Sequence, residues 1–150
     1  MKIVSYDDLE SIAGQETGVS DWVEITQDKI DKFADATGDH QWIHVDTERA
    51  ARELPTGGTI AHGFLTLSLI PMLSSQILKI ENISRAINYG CNLVRFTNMV
   101  PTGSKVRGRQ VVKTVEPKAG GKQLISEFTV EIEGQDKPAC IAETVTIFYG

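Results

Sequence analysis

The chain is expected to fold as an α+β protein, and three observations carry that expectation. Residues 28–37 have helical periodicity and stop at Gly38. Residues 64–78 are apolar nearly all round, as a helix buried on most sides would be. From residue 84 onward, four stretches read as strands with turn residues between them. Helices, one buried helix and then an antiparallel meander make an α+β order rather than an alternating βαβ one.

Taken in order, residues 1–20 place Tyr6, Leu9 and Ile12 at helical spacing before a glycine-bounded break, so a short helix or an extended lead-in is expected. Trp22-Val23-Glu24-Ile25 reads as a short strand. Thr26 is a candidate N-cap with Asp28 in the first turn, and Ile30, Phe33, Ala34 and Thr37 fall on one face of the helix that follows. Gly38 then suits a left-handed helix exit. Asp46 or Thr47 can cap a short helix over residues 48–53, and Pro55-Thr56-Gly57-Gly58 is a turn. The apolar helix follows, with Pro71 expected to kink or break it. Residues 84–96 form a mixed strand interrupted near Gly90, and residues 105–115, 123–133 and 139–149 alternate in longer runs. Residues 117–121 and 134–138 supply hairpin connections. Leu124, Ser126, Phe128, Val130 and Ile132 share one face, so one side of the sheet belongs to the core.

A length of 150 residues and 41% hydrophobic content suit one domain spanning 1–150, with no repeat or linker dividing it. The net charge of -5 argues against nucleic-acid and anionic-membrane partners. No apolar run is long enough to span a bilayer, and the acidic opening MKIVSYDDLE is unlike a signal peptide, so a cytoplasmic location is expected. Cys91 and Cys140 have neither metal-motif nor disulfide-framework spacing and read as buried thiols.

Chemistry concentrates between Thr37 and Thr66, where all three histidines fall. Asp39 and His44 stand five residues apart, a spacing that diverges in a strand and in a regular helix, so the two converge only across a loop. There they can hold one water and exchange its proton. The plainer reading, a turn-capping Asp39 and a satisfied half-buried His44, stays open on the residues alone. Gly63 opens the apolar helix, where unpaired backbone amides can meet a developing oxyanion, or where glycine merely permits a tight helix contact. His62 is expected to shape that turn.

Other patterns here are weaker. His40 and His44 have the i, i+4 spacing of a zinc helix, but Gln41 replaces the required glutamate, so no metal is expected. Gly58 to Gly63 has P-loop spacing with Phe64 in place of the lysine. Ser68 lacks the nucleophile-elbow glycines.

The run FADATGDHQWIHVD followed by GGTIAHGFLTLSLI resembles the MaoC-like hot-dog dehydratases, including (R)-specific 2-enoyl-CoA hydratases and nodulation-protein-N-like members. Gly38-Asp39, His44, Asp46 and His62-Gly63 match that motif in order and spacing. The resemblance is close over residues 20–75 and rests on strand pattern elsewhere. Gln41-Trp42 replaces the family's Asn-Pro, which bears on substrate range.

The resemblance implies a hot-dog domain, an antiparallel sheet wrapped around a central apolar helix. It also implies an (R)-specific enoyl-CoA hydratase, or 3-hydroxyacyl-CoA dehydratase, with Asp39 and His44 catalytic and Gly63 as oxyanion donor. No cofactor or metal is implied beyond the coenzyme A or acyl-carrier-protein thioester that is the substrate, and the protein is expected to form a homodimer or a dimer of dimers. Arg85, Arg95, Lys105, Arg107 and Arg109 are the basic residues nearest the sheet rim for the coenzyme's phosphates, with nothing to choose among them. A hot-dog thioesterase, or a non-catalytic acyl-binding module with Trp42 filling the pocket, are the alternative readings.

Overall fold

The computed structural model describes residues 1–150. The lead-in is both extended and helical: strand β1 (Lys2–Ser5), one turn of 3-10 helix at Leu9–Ile12 that buries Leu9 and Ile12, and strand β2 (Glu16–Val19). The short strand β3 is Val23–Glu24.

Helix α1 (Gln27–Thr37) begins where the sequence places its cap. The Thr26 hydroxyl accepts from the Lys29 amide at 3.2 Å, and Gly38 leaves the helix in the left-handed region at φ 82°. α2 is a single turn, Trp42–Val45, and α3 runs Thr47–Glu53 behind the Asp46 carboxylate, which accepts from Arg49 N–H at 3.0 Å.

The apolar helix is two pieces, α4 (Gly63–Ser68) and α5 (Ile70–Ile77), with the break at Leu69, before Pro71. Proline is tolerated in a first helical turn, where its missing N–H is no loss, so the chain restarts the helix around it. Leu69 joins them: its amide closes α4 on Leu65 O at 3.1 Å, and its carbonyl accepts from Leu73 N–H at 3.0 Å to open α5.

β4 (Leu78–Glu81) pairs in parallel with β1, and a six-stranded antiparallel sheet takes the rest. Its strands run β2-β6-β7-β8-β5, with β3 also on β6, where β5 is Arg85–Phe96, β6 Lys105–Lys118, β7 Gly121–Ile132 and β8 Cys140–Tyr149. β5 breaks register with β8 beside Asn88 and again after Cys91, the bulge expected near Gly90. The β6–β7 hairpin is tighter than expected. Ala119 and Gly120 both adopt positive φ, and two residues close the turn.

Leu65, Ile70, Leu73 and Ile77 turn inward from α4 and α5, and Val106, Val112, Leu124, Phe128, Val130 and Ile132 meet them from the sheet. Gly108 on β6 makes room for the helix: a Cβ there would sit 3.2 Å from that of Leu73. The result is the hot-dog arrangement of a sheet laid around one apolar helix.

Two expectations change. The helix is not buried on most sides, for Phe64 is 66% exposed and Pro71, Met72 and Ser75 share its open face. One sheet covers only one side of a helix. Cys140 is buried, but Cys91 is exposed because its strand, β5, lines an open cavity that nothing in the chain fills.

Candidate active site

Asp39 lies in the irregular stretch just past Gly38, held by an Asx turn in which its carboxylate accepts from Gln41 N–H at 3.3 Å. The segment to His44 is only half loop. Its second half is the turn of α2, which swings His44 back over the site. Gln27 fixes that turn, donating from Nε2 to His44 O at 2.8 Å while its Oε1 accepts from the Thr59 hydroxyl.

His44 is buried, and its Nδ1 donates to Ile60 O at 2.7 Å. A carbonyl only accepts, so the proton must sit on Nδ1 and Nε2 carries a free lone pair. Burial pushes the imidazole below its ordinary range and His62 adds repulsion. The Ile60 carbonyl and Asp39 pull the other way without overcoming them. His44 is thus a neutral imidazole at neutral pH, with its basic nitrogen ready.

His62, also buried, is tied by the reciprocal bond: its Nε2 donates to Asp39 O at 2.9 Å. The two rings stack with centroids 3.8 Å apart, and Phe33 backs His62 at 4.9 Å. His62 Nδ1 is left buried without a partner. Ligand atoms of Asp39, His44 and His62 lie within 4.8 Å of one another. The set does not suit a metal: with ring planes only 24° apart and stacked, the free nitrogens point along nearly parallel planes rather than at a common point. The cluster suits a water, with a carboxylate and a neutral imidazole beside it.

Gly63 follows directly as the first residue of α4, so its amide has no partner within the helix. The Phe96 ring lies close against it, and a Cβ at this position would stand 2.7 Å from that ring. Asp39, His44 and the Gly63 turn are therefore brought together, as expected from the sequence.

Residues 8–133 match the family model described as a MaoC like domain. The chain belongs to the MaoC-like dehydratase family. It is 53% identical to 3-hydroxyacyl-thioester dehydratase Z of Mycobacterium tuberculosis, over 94% of this chain and 93% of that protein. It is 49% identical to nodulation protein N of Rhizobium leguminosarum bv. viciae, over 98% and 92%. Among solved structures, R-hydratase PhaJ1 from Pseudomonas aeruginosa superposes with a TM-score of 0.73 at 22% identity, over 91% of this chain and 81% of that one.

In this MaoC-like chain a cavity of about 740 Å³ opens between α4–α5 and the inner face of β5, β7 and β8. It begins at Leu67 and Ser68, one turn past Gly63, and none of Asp39, His44 or His62 lines it. Proton-transfer groups converge at the histidine cluster, outside the walls of this cavity. Trp42 is not among its walls; the Arg49 guanidinium stacks over its indole at 3.9 Å. That removes the reason for reading the protein as a pocket-filled binding module. Arg107 and Arg109 are committed to Glu131, and Arg109 also to Glu16, so two of the five rim cations are already paired.

Two residues of the MaoC-like site escaped sequence reasoning in part. His62 was placed at the turn, but its stacking on His44 has no local signal in the chain. Gln27 has no local signal either, since its bonds run to residues 17 and 32 positions away.

Proposed function

We propose that the protein is an (R)-specific enoyl-thioester hydratase, a hydro-lyase that adds water to trans-2-enoyl thioesters and, in reverse, dehydrates 3-hydroxyacyl thioesters. The observation that carries this reading is the Nδ1 bond from His44 to Ile60 O, which leaves a neutral imidazole with Nε2 free beside the Asp39 carboxylate.

Asp39 and His44 hold one water between them. As its oxygen bonds to C3, its proton passes to the pair, and a proton returns from the pair to C2, so water is added whole across the double bond. Negative charge gathers on the thioester oxygen, which accepts from the Gly63 amide at the positive end of α4. No step calls on a metal or a diffusible cofactor; the coenzyme A or acyl-carrier-protein thioester is itself the substrate.

The proposed working unit is a homodimer. β5 leaves its outer edge without a neighbour and exposes Ile87, Tyr89, Leu93 and Phe96. A long edge strand carrying large apolar side chains needs cover, and a second copy of the same strand supplies it. Cys91 and Cys140 are free thiols, which fits a reducing compartment such as the cytoplasm.

The test follows the absorbance of the enoyl thioester with crotonyl-CoA, beside Asp39→Asn and His44→Ala. The wild type should consume the enoyl group without releasing thiol and yield the (R)-3-hydroxy product. Each variant should lose on the order of a hundredfold or more. Thiol release would identify a thioesterase instead, and full activity in Asp39→Asn would sink the proposed mechanism.

A further inference from the structure

The cavity beyond Gly63 is not the uniformly apolar tube that a plain alkyl chain needs. A polar band crosses its sheet wall. Ser126 on β7 stands directly opposite Thr144 on β8, which stands opposite Cys91 on β5. Gln110 on β6 joins the band, donating from Nε2 to Ser126 Oγ at 3.1 Å. From the helix side the Ser74 hydroxyl reaches Gln110 Oε1 at 3.4 Å. Gln110 is only 2% exposed and Ser126 1%, and both line the cavity.

Polar groups this deeply placed cost stability unless their hydrogen bonds are made. Gln110 has two Nε2 protons and Ser126 one hydroxyl proton. The Gln110–Ser126 contact uses one of the three. The other two have no acceptor in the protein's hydrogen bonds, and both residues belong to the cavity's lining.

Resting on the hydratase reading above, we infer that the acyl chain carried into this cavity bears an uncharged oxygen, a carbonyl or hydroxyl, that accepts hydrogen bonds from Gln110 and Ser126. The band lies level with Ser74, eleven residues beyond Gly63 along α4 and α5 and therefore at most roughly 16 Å away at the helical rise per residue. A medium-length acyl chain extended from the thioester spans that distance. The oxygen is uncharged because the band offers only neutral donors. Lys79, the one charged residue on the walls, is bonded to Glu81 at 2.8 Å. A site built to bond an oxygen discriminates against the analogue without one, because its own buried donors are then left unpaired.

The experiment measures kcat/KM for two medium-chain trans-2-enoyl-CoA substrates of equal length, one plain and one with a keto group moved in steps along its distal half. Wild type, Gln110→Leu and Ser126→Ala are compared, and the keto-to-alkyl ratio within each protein cancels any general loss of folded enzyme. The wild type should prefer one keto isomer by about tenfold or more. Gln110→Leu should bring the ratio to one or below, and Ser126→Ala should reduce it less. Should Gln110→Leu fail to fold, Ser126→Ala still reports. Equal or better use of the plain chain by the wild type, or a ratio untouched in the folded variants, overturns the inference. Crotonyl-CoA, too short to reach the band, separates the two proposals, since its failure to turn over counts against the hydratase reading alone. In that event, calorimetric binding of the saturated keto- and alkyl-acyl-CoA pair gives the same ratio without chemistry.

Discussion

His40 and His44 stand four residues apart in sequence, and their surroundings push them in opposite directions. His40 is exposed and bonded to Asp35 at 2.9 Å, which raises its pKa; His44 is buried, which lowers its own. For His44 the unfolded chain takes up a proton near the ordinary 6.5, while the folded protein resists it. Above that pH neither form is protonated there and the group has no effect on stability. As pH falls below it, the unfolded state gains a proton that the native state lacks, and stability declines until the depressed native value is reached. Activity should follow the same group: kcat/KM should stay level down through pH 6.5 and bend only below it, and His40→Asn should leave that limb in place. A limb centred above 6.5 would exclude His44 as the base. Spacing and the preceding glycine marked Asp39 and His44 as a candidate pair, with a turn cap and a structural histidine left open beside it. The direction of the His44 shift was not legible, because its causes lie at Ile60 and His62, far along the chain.

At the scale of elements, the caps were the easiest features to read. Thr26, Gly38 and Asp46 each act within four residues, and the structure places each where local chemistry puts it. The helix over 63–77 was legible as a helix but not in its exposure, since apolar residues all round leave open which face meets the sheet. The structure assigns that role to Leu65, Ile70, Leu73 and Ile77. Leu73 is fully buried against Gly108 and Phe128 on the sheet. Leu73→Ala should cost about 2–5 kcal/mol in urea unfolding, the range for a buried leucine whose site cannot collapse. A loss under about 1 kcal/mol would mean that α5 rests on the sheet more loosely than the contacts indicate.

For the molecule as a whole, β5 is the exposed margin. The sequence read it as a mixed run broken near Gly90, and nothing in that pattern says whether such a strand is central or peripheral. Position at an edge is a property of strand order, which depends on pairings 44 to 64 residues away. With Ile87 and Leu93 both changed to lysine, like charges would face each other along a β5–β5 seam. Sedimentation equilibrium should then give the mass of one chain where the wild type gives two, with most of the hydratase activity lost. A monomeric wild type of full activity would remove the dimer from the proposal.

The two bonds that fix the histidines have a consequence for cooperativity. His44 grips the backbone at Ile60 and His62 grips the backbone at Asp39, so each segment lends a ring to the other's main chain. The Asp39–His44 turn and the start of α4 are clasped together, although 23 residues separate Asp39 from His62. Their free energies should therefore be coupled rather than additive. Loosening either histidine releases the proposed acid–base half and the proposed oxyanion half of the site at once, so under that proposal activity is gained or lost as a unit.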